Sequence, residues 1–491
     1  MATTAPAIAV EQMLIGGEWV RAADGRTFDV DTPAHRGRAI ARVPASGAED
    51  VDRAVRAAHA AFPGWRAVAP RERGRILTRI ADDLDAAVED LSRTLASETG
   101  NAIRTQARPE AKVTADLFRY FGGLGGELKG ETEALGEGML SYTRREPYGV
   151  VAAIVPWNVP IQISAWKVAP ALLAGNTVVL KPSASAPLAV LELAKIAQRH
   201  LPKGVLNVVT GTGDAVGTPL ASHPLVAKVS FTGNTETGKA ILRAAADRIV
   251  PVTLELGGKS PQILFPDADT DRTADGVIAA MRFARQGQSC TAGSRLFVHE
   301  DVYESFLARL AGKLAKLKVG DPLDETSDMG AIVSRQQFEK VCAYIDEGTR
   351  QRGARTLAGG LPPKEGALAE GYYLEPTLFA DMRNDWRLAK EEIFGPVLVA
   401  IRWRDEAEAI RMANDTHFGL AAYVWCNDLG RAVRTAHALD AGWVQVNQGG
   451  GQVVGQPYGG FKQSGLGREN SLEGMLESFT QRKSVNINIA P

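Results

Sequence analysis

The chain has 491 residues, roughly three domains' worth of polypeptide at about 150 residues per domain, and ample for a large core. Apolar residues make up 45% and charged residues 23%, a balance that excludes disordered, collagenous and coiled-coil chains. Lys plus Arg number 56 against 57 Asp plus Glu, so no basic field is present to hold nucleic acid or an anionic membrane.

The first stretch, Met1 to Gln12, lacks a basic segment followed by an apolar one. No run reaches the ~18 apolar residues that span a bilayer. A soluble, unprocessed, cytoplasmic protein is expected. From Ile76 to Leu95, apolar residues recur every three or four positions and predict one amphipathic helix. Short β-rich runs then follow at Val150 to Val155, Thr177 to Leu180, Val205 to Val209, Val226 to Phe231 and Val250 to Leu254, separated by helix-length segments. That alternation predicts βαβ units and a parallel sheet. A second strand-and-helix series begins at Arg295 to His299 and continues in a helix from Asp301, with Asp301 and Glu304 placed as a capping box and Gly320 as the stop. Residues 353 to 371, rich in glycine, read as an exposed connection without an element. The tail from Glu477 to Ile489 reads as a strand able to pair with another chain.

Six stretches carry side chains suited to chemistry. In Pro156-Trp157-Asn158-Val159-Pro160, Asn158 follows a parallel strand at its carboxyl end, where ligands of open α/β sheets collect. Its amide either donates to a developing oxyanion or merely caps a turn between prolines. Lys181-Pro182-Ser183, the run Gly211 to Gly217 and the run Phe231 to Gly238 place glycines between strand and helix, where backbone N–H groups suit a phosphate. The spacing Gly211, Gly213, Gly217 departs from the dinucleotide fingerprint, and Gly233 to Lys239 imitates a nucleotide-triphosphate loop except that Ala240 has no hydroxyl for magnesium. Glu255 ends an apolar strand before Gly257-Gly258; it is either a salt-bridged structural charge or a base whose proton affinity burial raises. Cys290 lies in Gly287-Gln288-Ser289-Cys290-Thr291, among small and polar residues that make a poor apolar core. It is either an inert filler or a nucleophile. The three cysteines, Cys290, Cys342 and Cys426, are each more than 50 positions apart, which gives no disulfide framework or metal clip. The seven histidines show no ligand spacing, so no metal is expected.

Taken together, these motifs resemble the aldehyde dehydrogenase superfamily over about residues 12 to 488. The likeness rests on Pro156-Trp157-Asn158, Lys181-Pro182-Ser183, Phe231-Thr232-Gly233, Leu254 to Lys259, Gly287 to Cys290, Glu391 to Pro396 and Pro457 to Gly465, seven motifs in order. It implies oxidation of an aldehyde to the carboxylic acid with NAD or NADP. Cys290 would be the nucleophile, Asn158 with the Cys290 N–H the oxyanion donors, and Glu255 the general base that hydrolyses the thioester. Relatives that pass the acyl group to coenzyme A typically lack this glutamate. Cofactor contacts would come from Ile154, Pro156, Trp157, Lys181, Ser183, Gly213, Gly217, Phe231, Gly233, Asn234, Gly257, Glu392 and Phe394. Substrate contacts would come from Trp166, Ser289, Thr291, Asn447 and Tyr458.

The resemblance also implies an α/β fold in three parts. A Rossmann-like NAD(P)-binding domain would use residues 1–127 and 147–258, a catalytic α/β domain 259–476, and an oligomerisation arm 128–146 with 477–491. A homodimer or homotetramer is expected. Some positions depart from the commoner family pattern. Ala184 stands where many NAD-preferring relatives carry a glutamate that repels a 2′-phosphate, so dual acceptance of NAD and NADP is expected. Arg285 replaces a frequent Asn, Asn234 a frequent Ser, and Thr237 an aliphatic residue. Val159, and Gln448-Gly449-Gly450-Gly451-Gln452 after Asn447, suggest a wide, partly polar substrate mouth that admits bulky, hydroxylated or aromatic aldehydes. Two other classes fit parts of the pattern: a cysteine hydrolase, which needs a histidine base near Cys290, and a catalytically retired structural relative, against which Cys290, Glu255 and Asn158 speak together.

Overall fold

The structure, a computed structural model, describes residues 9–362 and 365–489. The no-leader reading of Met1 to Gln12 rests mainly on residues outside the described ones, as do residues 363 and 364 of the predicted connection and 490 and 491 of the predicted arm.

Two large sheets organise the chain. In the first, eight strands run in the spatial order Gly465–Leu466, Val252–Glu255, Val226–Thr232, Val150–Ile154, Thr177–Lys181, Leu206–Val208, Met13–Ile15, Glu18–Val20. Its five central strands are parallel, and antiparallel strands close both edges. Val150–Ile154 is buried along its whole length, the expected state of a continuous apolar run covered on both faces. The chain runs outward from it through Thr177–Lys181 and Leu206–Val208, then crosses back to lay Val226–Thr232 on its other side. The strand order therefore reverses at Ile154 and Thr232, which opens a crevice beyond the carboxyl ends of these two strands.

The second sheet has seven strands in the order Arg355–Ala358, Thr377–Ala380, Val397–Trp403, Arg295–His299, Pro261–Leu264, Ala421–Trp425, Trp443–Val446. All are parallel except the first. The connection from Glu255 to Pro261 carries the chain from the carboxyl end of the first sheet to the amino end of the second. Cys290 sits on the loop that enters Arg295–His299. A third, antiparallel sheet pairs Thr480–Asn488 with Met139–Pro147 over nine residue pairs, with Thr132–Glu133 on the far side.

The strands expected from Val150 to His299 occur within a residue or two of their predicted bounds, and Arg295–His299 matches at both ends. Of the tail expected as a strand from Glu477, the first three residues instead end the helix Leu472–Phe479, and the strand is Thr480–Asn488, paired within the chain. The single helix predicted over Ile76 to Leu95 is instead two, Pro70–Ala86 and Val88–Thr99, parted at Ala87 (φ −99°, ψ 8°). Its apolar stripe stays buried through the break, so periodicity alone does not reveal it. No capping box forms at Asp301. The ring nitrogen Nδ1 of His299 accepts the Asp301 N–H at 3.2 Å, Glu300–Val302 makes a 3-10 turn, and the helix proper is Tyr303–Leu314, which ends before Gly320. The connection 353–371 does hold an element, the edge strand Arg355–Ala358, made by antiparallel pairing rather than by local propensity.

Candidate functional site

A cleft of about 240 Å³ lies where the carboxyl ends of the first sheet face the amino end of the second. Pro156, Trp157 and Asn158 form one wall. Thr232, Gly233, Asn234, Leu256 and Gly257 form the floor, Cys290 closes the inner end, and Glu392 and Phe394 stand opposite. Trp157 and Phe394 meet edge to face with centroids 5.3 Å apart. Of the residues singled out in the sequence, eight line this cleft: Pro156, Trp157, Asn158, Gly233, Asn234, Gly257, Glu392 and Phe394. Cys290 makes the ninth.

The Cys290 thiol lies 3.5 Å from the hydroxyl of buried Tyr458. Burial pushes the thiol up to about 11, partly offset by that hydroxyl contact and by Arg285, while the charges of Glu392 and Glu255 add to the rise. Among the described residues the Cys290 N–H has no hydrogen-bond partner. Asn158 is buried and donates one side-chain amide N–H to Gln288 O at 3.0 Å, while its backbone carbonyl oxygen accepts from Asn101 Nδ2. A side-chain amide has two donors, so one stays unspent, in the cleft that Cys290 also lines. Two unspent donors and a thiol in one cleft can stabilise an oxyanion formed by attack of sulfur on a carbonyl.

Glu255 ends its strand 2% exposed, and neither carboxylate oxygen has a partner. Burial, reinforced by the nearby negative charge of Glu469, raises its pKa well above the usual carboxylate value. Among the described residues no ion pair holds Glu255, so it is not the salt-bridged structural charge that one sequence reading offered. Behind it lies a buried pair missing from the sequence reading: Lys167 Nζ to Glu469 Oε1 at 2.7 Å, both side chains fully inaccessible, with Ser230 Oγ bonded to both. The helix Pro160–Ala174 is buried on every face, so its single charged residue was the available signal for a partner.

The other cofactor candidates, Ile154, Lys181, Ser183, Gly213, Gly217 and Phe231, do not line this cleft but stand at or just past the carboxyl ends of strands of the first sheet. Lys181, at the carboxyl end of Thr177–Lys181, is buried, and its ammonium makes a single hydrogen bond, to Pro182 O at 2.9 Å. Burial lowers its pKa to about 8. An ammonium with spare donors and no carboxylate suits ribose hydroxyls or phosphate oxygens. Glu392 is pinned by the Gly258 N–H on Oε1 at 2.9 Å. Gly233 must be glycine because a Cβ would meet the Phe231 ring at 2.5 Å. Asn234 caps the helix Thr235–Ala246 by accepting the N–H groups of Glu236 and Thr237. Ile154 ends the central strand, Ser183 Oγ accepts the Ser185 N–H, and Gly213–Gly217 makes one turn of π-helix past Leu206–Val208. These residues fit a dinucleotide laid across the strand-order reversal.

A second, larger cavity of about 680 Å³, which Cys290 itself does not line, is bordered by the helix Arg108–Gly123, the segment 282–285 and the loop 449–452. Trp166 and Tyr458 meet at a tilt of 46° with centroids 5.0 Å apart, and the Tyr458 hydroxyl is the one that faces the Cys290 thiol. Ser289 and Thr291 flank Cys290 but point their hydroxyls at each other, 3.1 Å apart, and line neither cavity. Asn447 stands apart from both: its amide clamps the backbone of Cys426, accepting from N at 2.9 Å and donating to O at 2.7 Å. The glycine loop after it is held rather than free, because Arg282 donates to Gly449 O and Gly450 O at 3.0 and 2.6 Å. Sequence reasoning also missed Gln337 and Lys340, which reach the cleft from the helix Arg335–Arg350 of the second sheet's domain. Among the described residues no cluster could hold a metal ion, and no helix is long and apolar enough to cross a membrane.

Comparison with known proteins gives a consistent result. The sequence model of the aldehyde dehydrogenase family matches residues 19–485. Among solved structures, PnpE from Pseudomonas sp. WBC-3 is similar at 40% identity and a TM-score of 0.95, with 98% of each chain covered. An NAD-dependent aldehyde dehydrogenase from Sinorhizobium meliloti matches at 39% identity and TM-score 0.95, covering 98% of this chain and 95% of that one. The NAD+ complex of an aldehyde dehydrogenase from Bacillus cereus matches at 38% and 0.94, covering 98% and 97%.

Proposed function

The chain belongs to the aldehyde dehydrogenase family, and from that premise we propose that it oxidises an aldehyde to the carboxylic acid with NAD held in the cleft between its two large sheets. Cys290, as thiolate, adds to the aldehyde carbon. The carbonyl pair moves to oxygen, and the Cys290 N–H and the free Asn158 N–H stabilise the resulting oxyanion of the thiohemiacetal. Trp157, Gly233, Glu392 and Phe394 would hold NAD, which when bound would supply the acceptor for the hydride that the thiohemiacetal carbon gives up as its carbonyl re-forms into a thioester. Glu255 then takes a proton from a water that adds to the thioester carbonyl, the thiolate leaves, and the acid is released.

The observation that carries this reading is the meeting of the Cys290 thiol, its unspent N–H and the Asn158 amide at the inner end of a cleft whose outer wall holds Glu392. Lys181, Glu392 and the two glycines at 233 and 257 would hold the ribose and phosphate groups. Trp166 and Tyr458 would border the reacting aldehyde, with Asn447 bracing the loop beyond. The domain division given above follows the same assignment. The paired strands Met139–Pro147 and Thr480–Asn488 would join subunits, since Met139, Leu140, Ile487 and Ile489 expose apolar surface there; light scattering decides between dimer and tetramer. Three free cysteines suit a reducing cytoplasm. Purified protein given NAD and an aldehyde should produce reduced cofactor, and the Cys290→Ala protein none; equal rates in both would overturn the proposal.

A further inference from the structure

The larger cavity contains a cation with nothing to bind. Arg285 lines it, and among the described residues its only side-chain hydrogen bond runs from Nε to Gln106 Oε1 at 3.1 Å. Both terminal nitrogens are left without a protein partner. Arg285 is half-buried, and the two buried arginines of this domain behave differently. Arg295 gives Nε, Nη1 and Nη2 to the carbonyls of Lys259, Met412 and Ala413, and Arg282 gives its two terminal nitrogens to Gly449 and Gly450. Those two are structural fasteners; Arg285 is not.

Among the described residues Arg285 makes no ion pair. Glu110, which lines the same cavity and whose charge bears on Arg285, spends its Oε1 on the N–H groups of Ile161 and Gln162, and burial pushes its pKa up to about 8. Asp275 is paired with Lys313, and Asp328 with Arg104. Lys316, exposed at the same cavity, has no carboxylate partner. The cavity thus presents a positive field around a free guanidinium fork, a geometry matched to a planar carboxylate accepting two parallel bonds. Arg285 lies five residues before Cys290, and its charge bears on that thiol. A molecule with its aldehyde at Cys290 can therefore extend a second group toward Arg285.

Building on the aldehyde oxidation proposed above, we propose that Arg285 anchors a carboxylate at the far end of the substrate, so that the protein acts on semialdehydes of dicarboxylic acids. The test compares matched pairs: 4-carboxybenzaldehyde with methyl 4-formylbenzoate, and succinic semialdehyde with butanal. In each pair the charged member should show a kcat/KM at least tenfold higher. Arg285→Gln should bring that ratio near one, and Arg285→Lys should keep part of it. Calorimetry with terephthalate, the product-like dianion, reads the anchor without turnover: affinity should fall at least tenfold in Arg285→Gln. Neutral members oxidised as well as charged ones in both pairs, or terephthalate binding indifferent to residue 285, overturns the anchor and leaves the oxidation standing. No reaction with any of the four or with acetaldehyde defeats the underlying reading instead.

Discussion

The Glu392 carboxylate fills the space where a side chain on residue 257 would begin: a Cβ at Gly257 would lie 2.5 Å from Glu392 Oε2, while Oε1 takes the Gly258 N–H. The double glycine after Glu255 thus lets an acid from the second sheet's domain reach across to the first. At Gly258 a Cβ would strike the Cys290 carbonyl, so the same pair also seats the cysteine loop.

This contact predicts the phenotype of Gly257→Ala. The added methyl must displace a carboxylate anchored by a backbone N–H, so NAD affinity should fall about tenfold or more, the effect of losing one charge-assisted bond. Titration of NAD by quenching of tryptophan fluorescence measures it. Unchanged affinity in a folded variant would remove Glu392 from the cofactor site.

Burial holds the Cys290 thiol at about 11 in the protein alone. Well below that value the thiolate fraction rises tenfold per pH unit. Alkylation of Cys290 by iodoacetamide without cofactor should therefore keep rising from pH 7 to pH 9 with no plateau. A plateau with a midpoint near neutrality would show that another group depresses the thiol.

Lys167 and Glu469 form a fully buried pair 302 positions apart. Removing one partner leaves a buried charge and costs about 3–5 kcal/mol, whereas replacing both with apolar residues of similar size costs far less. Lys167→Met should lower the urea midpoint clearly, and Lys167→Met with Glu469→Leu should recover much of the loss. A double variant as unstable as the sum of the singles would mean that the two do not act as a pair.

Ala184 offers no carboxylate three residues after Lys181. NADP should therefore support turnover within about a hundredfold of NAD, roughly 2.7 kcal/mol of discrimination, and Ala184→Glu should widen the gap. Wild-type efficiency with NADP thousands of times below that with NAD would show that another feature excludes the 2′-phosphate.

What the sequence made legible follows from how local each signal is. Val150–Ile154 and Arg295–His299 are continuous apolar or β-rich runs bounded by turn residues, so their bounds can be read within a residue or two. Cys290, Glu255 and Asn158 stand out because each sits at a strand or loop end beside glycine or proline. The break at Ala87 is hidden because buried spacing continues through it, and Arg355–Ala358 is a strand only because Thr377–Ala380 offers an edge. The Asp301 cap loses to a ring nitrogen two residues earlier. Lys167 with Glu469, and Gln337 and Lys340 in the cleft, depend on contacts across hundreds of positions, which no local spacing encodes. The free guanidinium of Arg285 is of the same kind: the residue is visible in the chain, but its lack of partners is visible only in three dimensions.

The central claim is a covalent acyl link between substrate and Cys290 that Glu255 is needed to break. Mixing Glu255→Gln with aldehyde and NAD, quenching, and mapping the peptides by mass spectrometry tests it most directly. A burst of about one reduced cofactor per subunit, steady turnover down by about 10²–10⁴-fold, and an acyl mass on the peptide holding Cys290 are expected. Full steady turnover at neutral pH, or an acyl mass carried by any other residue, would contradict it.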